Sequence, residues 1–474
     1  MTDTIDPTVA AESPKEACGL FGVWAPGEDV ARLTFFGLFS LQHRGQESAG
    51  MAVADGDRIE VFRELGLVSQ VFNESTLSSL QGHLCVGHTR YSTTGSTTWE
   101  NAQPTFKTDG RRGLAIAHNG NLVNTGELAR RAGRRGRSTT DTNLVAELLS
   151  RHLDHGLEEA AMRVLPQLEG AYSFLLCDER TLFAARDPHG VRPLAIGRLP
   201  NAGGWCVASE TCALDVVGAT YIREVQPGEL VSIDERGLRS RRFDELATPK
   251  LCLFEFVYLS RPDSRLYGRS LHEARREMGR RLAREAPARA DLVIPIPDTG
   301  HSAAQGYAEA SGIPYGEGLM KNRYIGRTFI EPTPALRARG VRLKLNPLPD
   351  AVGGKRLAVV DDSIVRGTTT RQIVQTLRDA GAAEVHLRIV SPPIRWPCFY
   401  GIDMSTREEL VAAHTDVDGV RELVGADSLD YLSLESLVAA TESPRGAFCR
   451  ACFDGHYPIP LPEAEPTKFA LESR

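Results

Sequence analysis

The sequence predicts two globular units of different class in one chain. Residues 18–245 read as an α+β unit of stacked antiparallel sheets, and residues 246–474 as an α/β unit around a parallel sheet. Three observations carry this prediction. Before about residue 245, short apolar runs are joined by Gly-rich turns, as in GLFGVW, GMAVAD, GLAIAHNGN, AYSFLLCD and LFAARDPHG. From about residue 250, strand-like and helix-like segments alternate: DLVIPIP then SAAQGYAEA, RLAVVDD then TTTRQIVQTLRDAG, then EVHLRIV. With 474 residues, the chain is also too long for one typical domain.

Composition narrows the class. Apolar residues make up 42% and charged residues 24%, an ordinary globular mixture with ample core material. A net charge of −6 argues against a general nucleic-acid binder, and the basic stretch RRAGRRGR at residues 130–137 reads as a solvated surface. No run approaches the ~18 apolar residues that a spanning helix needs, so no membrane partner is expected. The first 17 residues, MTDTIDPTVAAESPKEA, are polar and acidic and lack the apolar centre of a secretory signal. They read as a removable leader on a cytoplasmic protein. The nine cysteines are too few and too scattered for a disulfide framework. Cys85, Cys177, Cys206 and Cys212 sit in apolar runs and read as small core residues.

In the second unit the string AVVDDSIVRGTTT, Ala358 to Thr370, holds the strongest signal. An apolar strand from Leu357 to Val360 ends in two carboxylates, Asp361 and Asp362. A turn through Ser363 and Gly367 then opens an amphipathic helix at Thr368, Thr369 and Thr370, with Ile373, Val374 and Leu377 on its apolar face. Free N–H groups and hydroxyls at a helix N-terminus attract a monophosphate, while the paired carboxylates suit ribose hydroxyls and a hard cation. Upstream, the turn Pro297-Asp298-Thr299-Gly300 in IPIPDTGHSAA offers consecutive backbone N–H groups as an anion nest. Between the two lies KNRYIGRTFI, whose Lys321, Arg323 and Arg327 are close together in sequence.

The first unit opens on a candidate nucleophile. Cys18 directly follows the leader, so cleavage after Ala17 would place a thiol and a free α-amine on one residue. An α-amine has a pKa near ~7.7–8.0 and is partly unprotonated at neutral pH, so it can accept the thiol proton. As an amide in the uncleaved chain it cannot, which makes processing obligatory. Arg90 in GHTRYSTTG suits a carboxylate. Asn119 and Gly120 in AHNGN offer a side-chain amide and a backbone N–H for an oxyanion, although Asn-Gly is first of all a turn dipeptide. Asp141 in STTDTNL starts a helix and suits an α-ammonium group, or simply caps that helix.

Four cysteines remain. Cys449 and Cys452 form a Cys-Arg-Ala-Cys pair, and Cys252 and Cys398 can join them only through the fold. From spacing alone, zinc and an iron–sulfur cluster fit equally.

Taken together, these motifs resemble known families. AVVDDSIVRGTTT resembles the signature of type I phosphoribosyltransferases, which bind phosphoribosyl pyrophosphate (PRPP). Cys18, Arg90, Asn119, Gly120 and Asp141 resemble the motifs of the N-terminal-nucleophile glutamine amidotransferases, whose domain is an αββα sandwich. With FVYLSRPDS, GLMKNRYIGRTFI and SPPIRWPCFYGIDMST, the likeness extends from Cys18 to about Pro458 and is to the glutamine PRPP amidotransferases. That resemblance implies a reaction in which glutamine, PRPP and water yield 5-phosphoribosylamine, glutamate and pyrophosphate. It implies Cys18 as nucleophile, Asn119 and Gly120 as oxyanion hole, and Arg90 and Asp141 as the grip on glutamine. PRPP is then held by Asp298, Thr299, Gly300, Lys321, Arg323, Asp361, Asp362, Ser363, Gly367, Thr368, Thr369 and Thr370. One Mg2+ per subunit is implied on Thr299, Asp361 and Asp362; Thr299 stands where relatives often carry Ser and keeps the hydroxyl. A propeptide-bearing subclass carries cysteines matching Cys252, Cys398, Cys449 and Cys452, implying one 4Fe–4S cluster per subunit. Homotetramers and feedback by purine nucleotides are implied as well. The competing readings are an iron–sulfur electron carrier, a sugar-phosphate amidotransferase, and an inactive regulatory relative that binds PRPP or nucleotides.

Overall fold

The computed structural model describes residues 17–91, 95–133, 138–200, 203–322, 345–402, 404, 406–462 and 471. Two antiparallel sheets form the N-terminal half. The first runs Thr220–Glu224, Ala195–Arg198, Trp205–Ala208, Gly19–Trp24, Leu84–Arg90, Ser48–Ala54, Ile59–Leu65 across its width. The second runs Gly237–Arg242, Glu229–Asp234, Leu182–Arg186, Gly170–Cys177, Gly113–Leu122, Thr105–Thr108.

Side-chain alternation explains why these strands read as continuous apolar runs. Successive residues of a strand face opposite sides, and here both sides are covered. In Gly113–Leu122, Ala115 and Ala117 pack between the sheets, whereas Leu114 and Ile116 pack under the helices Asp141–Ser150 and Leu157–Val164. In the first sheet Leu20 and Val86 point inward, while Phe21, Val23 and Cys85 meet the helix Val30–Ser40. The result is helix, sheet, sheet, helix, as the αββα expectation required. Cys85, Cys177, Cys206 and Cys212 are all buried. Arg130 and Arg131 are exposed, and the rest of the basic stretch at 134–137 lies outside the described residues.

The C-terminal half carries a parallel sheet in the order Leu292–Pro295, Arg356–Asp361, Glu384–Ile389, Ser428–Tyr431. Its strands also feed two cores. Leu357 and Val359 pack with Ile373, Val374 and Leu377 of the helix Thr368–Asp379, and Ala358 and Val360 pack toward the helices Leu271–Glu285 and Gly300–Ser311. Those last two helices approach backbone to backbone. A β-carbon at Gly279 would stand 1.9 Å from the Ala303 carbonyl oxygen, and one at Gly306 would stand 1.9 Å from that of Arg276.

A buried ionic chain joins the halves. Arg44 pairs with Glu210 and, at 2.6 Å, with Glu255, which also holds Arg192 at 3.1 Å. Arg192 donates to the Tyr400 carbonyl through Nε at 2.9 Å and Nη2 at 2.8 Å. Among the described residues no helix is long and apolar enough to cross a membrane.

Candidate active sites

Cys18 lies at the mouth of the strand Gly19–Trp24 and is buried. Its thiol donates to the Tyr91 carbonyl at 3.2 Å and accepts from the Tyr91 N–H at 3.4 Å. Burial pushes the thiol up to about 11, against the opposing pull of the Tyr91 N–H and the Arg90 charge. At neutral pH such a thiol stays protonated until a base takes its proton. Ala17 precedes it, also buried; residues 1–16 lie outside the described residues.

A small cleft is lined by Cys18, Arg90, Tyr91, Gln103, His118, Gly120, Thr140 and Asp141. Four of the residues expected from sequence therefore share one space, although they come from three strands and a helix. Arg90 ends the strand Leu84–Arg90, with Nη1 3.2 Å from the Ser96 carbonyl and 3.8 Å from a Glu47 carboxylate oxygen. Asn119 sits on Gly113–Leu122 with the parity of Ala115 and Ala117, which face the space between the sheets. Both polar atoms of its amide are buried and lack a hydrogen-bond partner among the described residues. An unspent amide of this kind costs stability and is the usual mark of a group kept for a ligand. Gly120, at φ +150°, could not carry a side chain: a β-carbon would stand 2.0 Å from the Ala171 carbonyl oxygen.

Asp141 opens the helix Asp141–Ser150 behind the Thr140 cap. Its carboxylate accepts from the Leu122 N–H at 3.1 Å and the Thr142 N–H at 2.8 Å, and faces His118 Nδ1 at 3.4 Å. Burial alone would raise its pKa, but His118 and these N–H donors outweigh that and hold it below the ordinary value. It is therefore an anion ready for a cation. His118 was not singled out by the sequence reasoning. Its only signal was its place beside Asn119 in AHNGN, and a lone histidine in an apolar strand is more often a core residue.

The second site lies at the C-terminal edge of the parallel sheet, where ligands of open α/β sheets bind. Asp361 ends its strand and Asp362 follows; both are buried. Burial and the adjacent Asp362 charge push Asp361 well above the usual range, and burial also raises Asp362 despite hydroxyl donors from Ser363 and Thr299. Thr299 donates to Asp362, which ties the turn Asp298-Thr299-Gly300 to the carboxylate pair. Gly300 permits this approach, since a β-carbon there would stand 2.6 Å from the Val360 carbonyl oxygen. Gly367 takes φ +80° and caps the helix that begins at Thr368 and continues through Thr369 and Thr370. The Lys321 ammonium rests on the Asp298 carboxylate. Arg323 and Arg327 fall outside the described residues.

The four remaining cysteines gather at one place. Leu251–Cys252 and Phe448–Cys449 pair as parallel strands with Cys252 opposite Cys449. The Arg395 and Trp396 N–H groups donate to the Cys452 carbonyl at 3.0 and 3.2 Å, which brings that residue to the segment carrying Cys398. Burial raises the Cys452 thiol, and Cys252, Cys398 and Cys449 each raise it further. Among the described residues no group of three or more histidine, cysteine, aspartate or glutamate side chains is set to hold a metal ion.

Comparison with known proteins points to one family. The family described as "Glutamine amidotransferase domain" matches residues 88–216. The chain is 57% identical over 465 residues to an amidophosphoribosyltransferase of Mycobacterium tuberculosis, covering 95% of this chain and 88% of the relative. The amidophosphoribosyltransferase of Bacillus subtilis is 48% identical over 454 residues, covering 94% of this chain and 95% of its own. The solved structure of the glutamine PRPP amidotransferase of B. subtilis complexed with ADP and GMP superposes with a TM-score of 0.89 at 46% identity. That superposition covers 95% of this chain and 99% of that one.

Proposed function

The chain belongs to the amidophosphoribosyltransferase family, and on that premise we propose how its own residues divide the work. The reaction is the first step of purine biosynthesis: glutamine, PRPP and water become 5-phosphoribosylamine, glutamate and pyrophosphate. The observation that carries the residue assignment is the shared cleft of Cys18, Arg90, Gly120 and Asp141.

Residues 1–17 are a propeptide, residues 18–245 the glutaminase domain and residues 246–474 the phosphoribosyltransferase domain. Release of the propeptide frees the Cys18 α-amine. That amine takes the thiol proton as sulfur attacks the carboxamide carbon of glutamine, and it returns the proton to the departing nitrogen. Water then cleaves the thioester. Asn119 and Gly120 hold the oxyanion with an amide N–H and a backbone N–H. Arg90 binds the α-carboxylate and Asp141 the α-ammonium.

Ammonia meets PRPP at the second site. Ser363, Gly367, Thr368, Thr369 and Thr370 take the monophosphate at the helix N-terminus. Asp361 and Asp362 hold the ribose hydroxyls, and Asp298, Thr299 and Gly300 receive the pyrophosphate. Lys321 and Arg323, with Arg327, cover it and exclude water, which would compete with ammonia. The donor set of Thr299, Asp361 and Asp362 fits Mg2+: both carboxylates are raised by burial, Asp361 also by the Asp362 charge, and a divalent cation would relieve them. When bound there, the ion would neutralise charge on the pyrophosphate.

Cys252, Cys398, Cys449 and Cys452 are the ligands of a 4Fe–4S cluster. Burial and the neighbouring thiols raise Cys252, Cys449 and Cys452, and a cationic cluster that accepts thiolates would relieve this. The protein works in the cytoplasm as a homotetramer, under feedback by purine nucleotides; the B. subtilis relative was solved with ADP and GMP.

Glutamate release from glutamine, with and without PRPP and Mg2+, tests this on anaerobically purified protein whose N-terminus is read by mass spectrometry. PRPP-stimulated release with equimolar pyrophosphate, from a chain beginning at Cys18, is the expected result. Equal release without PRPP would refute the coupling. No release from a processed, cluster-loaded chain would point to a regulatory relative.

A further inference from the structure

We propose that His118 is a substrate-binding residue whose Nε2 accepts a hydrogen bond from the α-ammonium group of glutamine, beside the Asp141 carboxylate. This rests on the reading of the Cys18 cleft as the glutamine site.

The tautomer follows from the neighbours. His118 Nδ1 faces two oxygens, Asp141 Oδ1 at 3.4 Å and Thr142 Oγ1 at 3.3 Å. The carboxylate is anionic, so Nδ1 carries the hydrogen. When the ring is neutral, Nε2 then holds a lone pair and no proton. The ring packs against Phe174. Its centroid lies 4.6 Å from that of Phe174, and Phe174 is fully buried.

That lone pair is unused. His118 is 3% exposed, and Nε2 is buried without a hydrogen-bond partner among the described residues. A buried acceptor left unmade is costly, and nothing in the thioester chemistry calls on it. It also looks toward the right place. A β-carbon on Gly120 would stand 2.9 Å from Nε2, so Nε2 lies against the position where Gly120 has no side chain. His118, Gly120, Asp141 and Cys18 line that same space.

The ligand that satisfies this pair is a hydrogen-bond donor with positive charge and more than one N–H. A primary ammonium has three, in tetrahedral array. Asp141 supplies the charge and one acceptor, and His118 supplies a second acceptor without a second negative charge. Recognition of an α-amino acid then differs from recognition of a simple amide at this one corner. His118 is thereby a determinant of specificity for glutamine over its des-amino analogue.

The test compares glutamine with glutaramate, which is glutamine without the α-amino group, in the processed holoenzyme. In His118→Phe, kcat/KM for glutamine is expected to fall about ten- to hundredfold, mostly through KM, which is the range for a hydrogen bond to a charged group. Glutaramate should lose no more than about twofold, since it never made that bond. His118→Gln, which can place an amide oxygen near Nε2, should recover part of the glutamine KM. Ammonia-dependent synthesis at the other site reports that each variant is folded, and if His118→Phe fails that check the glutamine-to-glutaramate ratio of His118→Gln decides. Equal losses on both substrates, or an unchanged glutamine KM, would overturn the proposal. Failure of the underlying reading looks different: Cys18→Ala, run alongside, would then still hydrolyse glutamine.

Discussion

The α-carbon of Gly401 lies against the backbone of Gly120, across the boundary between the two halves. A β-carbon at Gly401 would stand 2.8 Å from both Cα and C of Gly120, and Gly401 itself adopts φ +98°. Its neighbours reinforce the contact: Asn121 Nδ2 donates to the Phe399 carbonyl at 3.0 Å, and Arg192 grips the Tyr400 carbonyl. Phe399 and Gly401 thus meet the strand that carries Asn119 and Gly120, and Tyr400 between them is held by Arg192. Gly401→Ala should displace the Gly120 N–H and lower glutamine-dependent synthesis about tenfold or more, toward the ~10²–10³-fold cost of losing one oxyanion donor outright. Ammonia-dependent synthesis should stay within about twofold, because it bypasses that step. Steady-state rates with the two nitrogen sources check this; equal losses would mean that Gly401 serves stability alone.

The Arg44–Glu255–Arg192 chain makes a second prediction. These side chains are 0–1% exposed, so removing the central carboxylate strands the Arg192 cation and leaves Arg44 with Glu210 alone. Glu255→Gln should cost about 3–5 kcal/mol, read as a fall in the denaturant midpoint of unfolding. The pH dependence has a definite sign. Burial works to raise Glu210 and Glu255, but Arg44 and its partners overcome this and hold both below the ordinary 4.5. Depressed carboxylates stabilise fully above their unfolded value and lose that contribution as pH falls through the folded one. The stability of the wild type should therefore drop below about pH 4.5, and less steeply in Glu255→Gln. A parallel pH profile would refute the role of Glu255.

How much of this was legible before folding differs from residue to residue. Asp361, Asp362 and Gly367 could be read because strand end, turn and helix start are local in sequence, and their chemistry is written in one continuous string. Cys18, Asn119 and Asp141 were readable as motif members, yet nothing local said that they share a cleft. Arg44, Glu210, Glu255 and Arg192 gave no signal at all. Each is an ordinary charged residue whose burial arises only when two domains close on it. His118 failed for a related reason, since an unpaired Nε2 is a property of the packed strand. The contact of Gly401 with Gly120 depends on a long-range docking that no periodicity encodes.

Substitutions at the two sites should separate the half-reactions. Cys18→Ala should abolish glutamine-dependent synthesis while leaving ammonia-dependent synthesis measurable at high ammonia and raised pH. Asp361→Asn combined with Asp362→Asn should do the opposite, ending phosphoribosyl transfer with either nitrogen source. Pyrophosphate release assays distinguish the two. Retained transfer in the double variant would remove the carboxylates from PRPP binding, and loss of both activities in folded Cys18→Ala would give Cys18 another role.

The cysteine cluster makes the last prediction, through the tail it ties down. Tyr457 donates to the Pro397 carbonyl at 2.6 Å, and the Ile459 N–H donates to the Tyr400 hydroxyl at 3.1 Å, so residues 449–459 rest on the segment that carries Cys398. Burial pushes Cys252 up to about 11 and raises Cys449 still higher. Without a cationic partner these thiols stay neutral, and the two-residue pairing of Leu251–Cys252 with Phe448–Cys449 is too short to secure the tail alone. Cys449→Ser should therefore lose most of about four irons per chain and the visible absorbance of the cluster. Limited proteolysis should then cut between residues 449 and 462 well before it cuts the wild type. The same segment docks on Gly120, so glutamine-dependent synthesis should fall further than ammonia-dependent synthesis. Zinc in place of iron, or an iron-free protein whose tail resists protease as before, would refute the cluster as the tether.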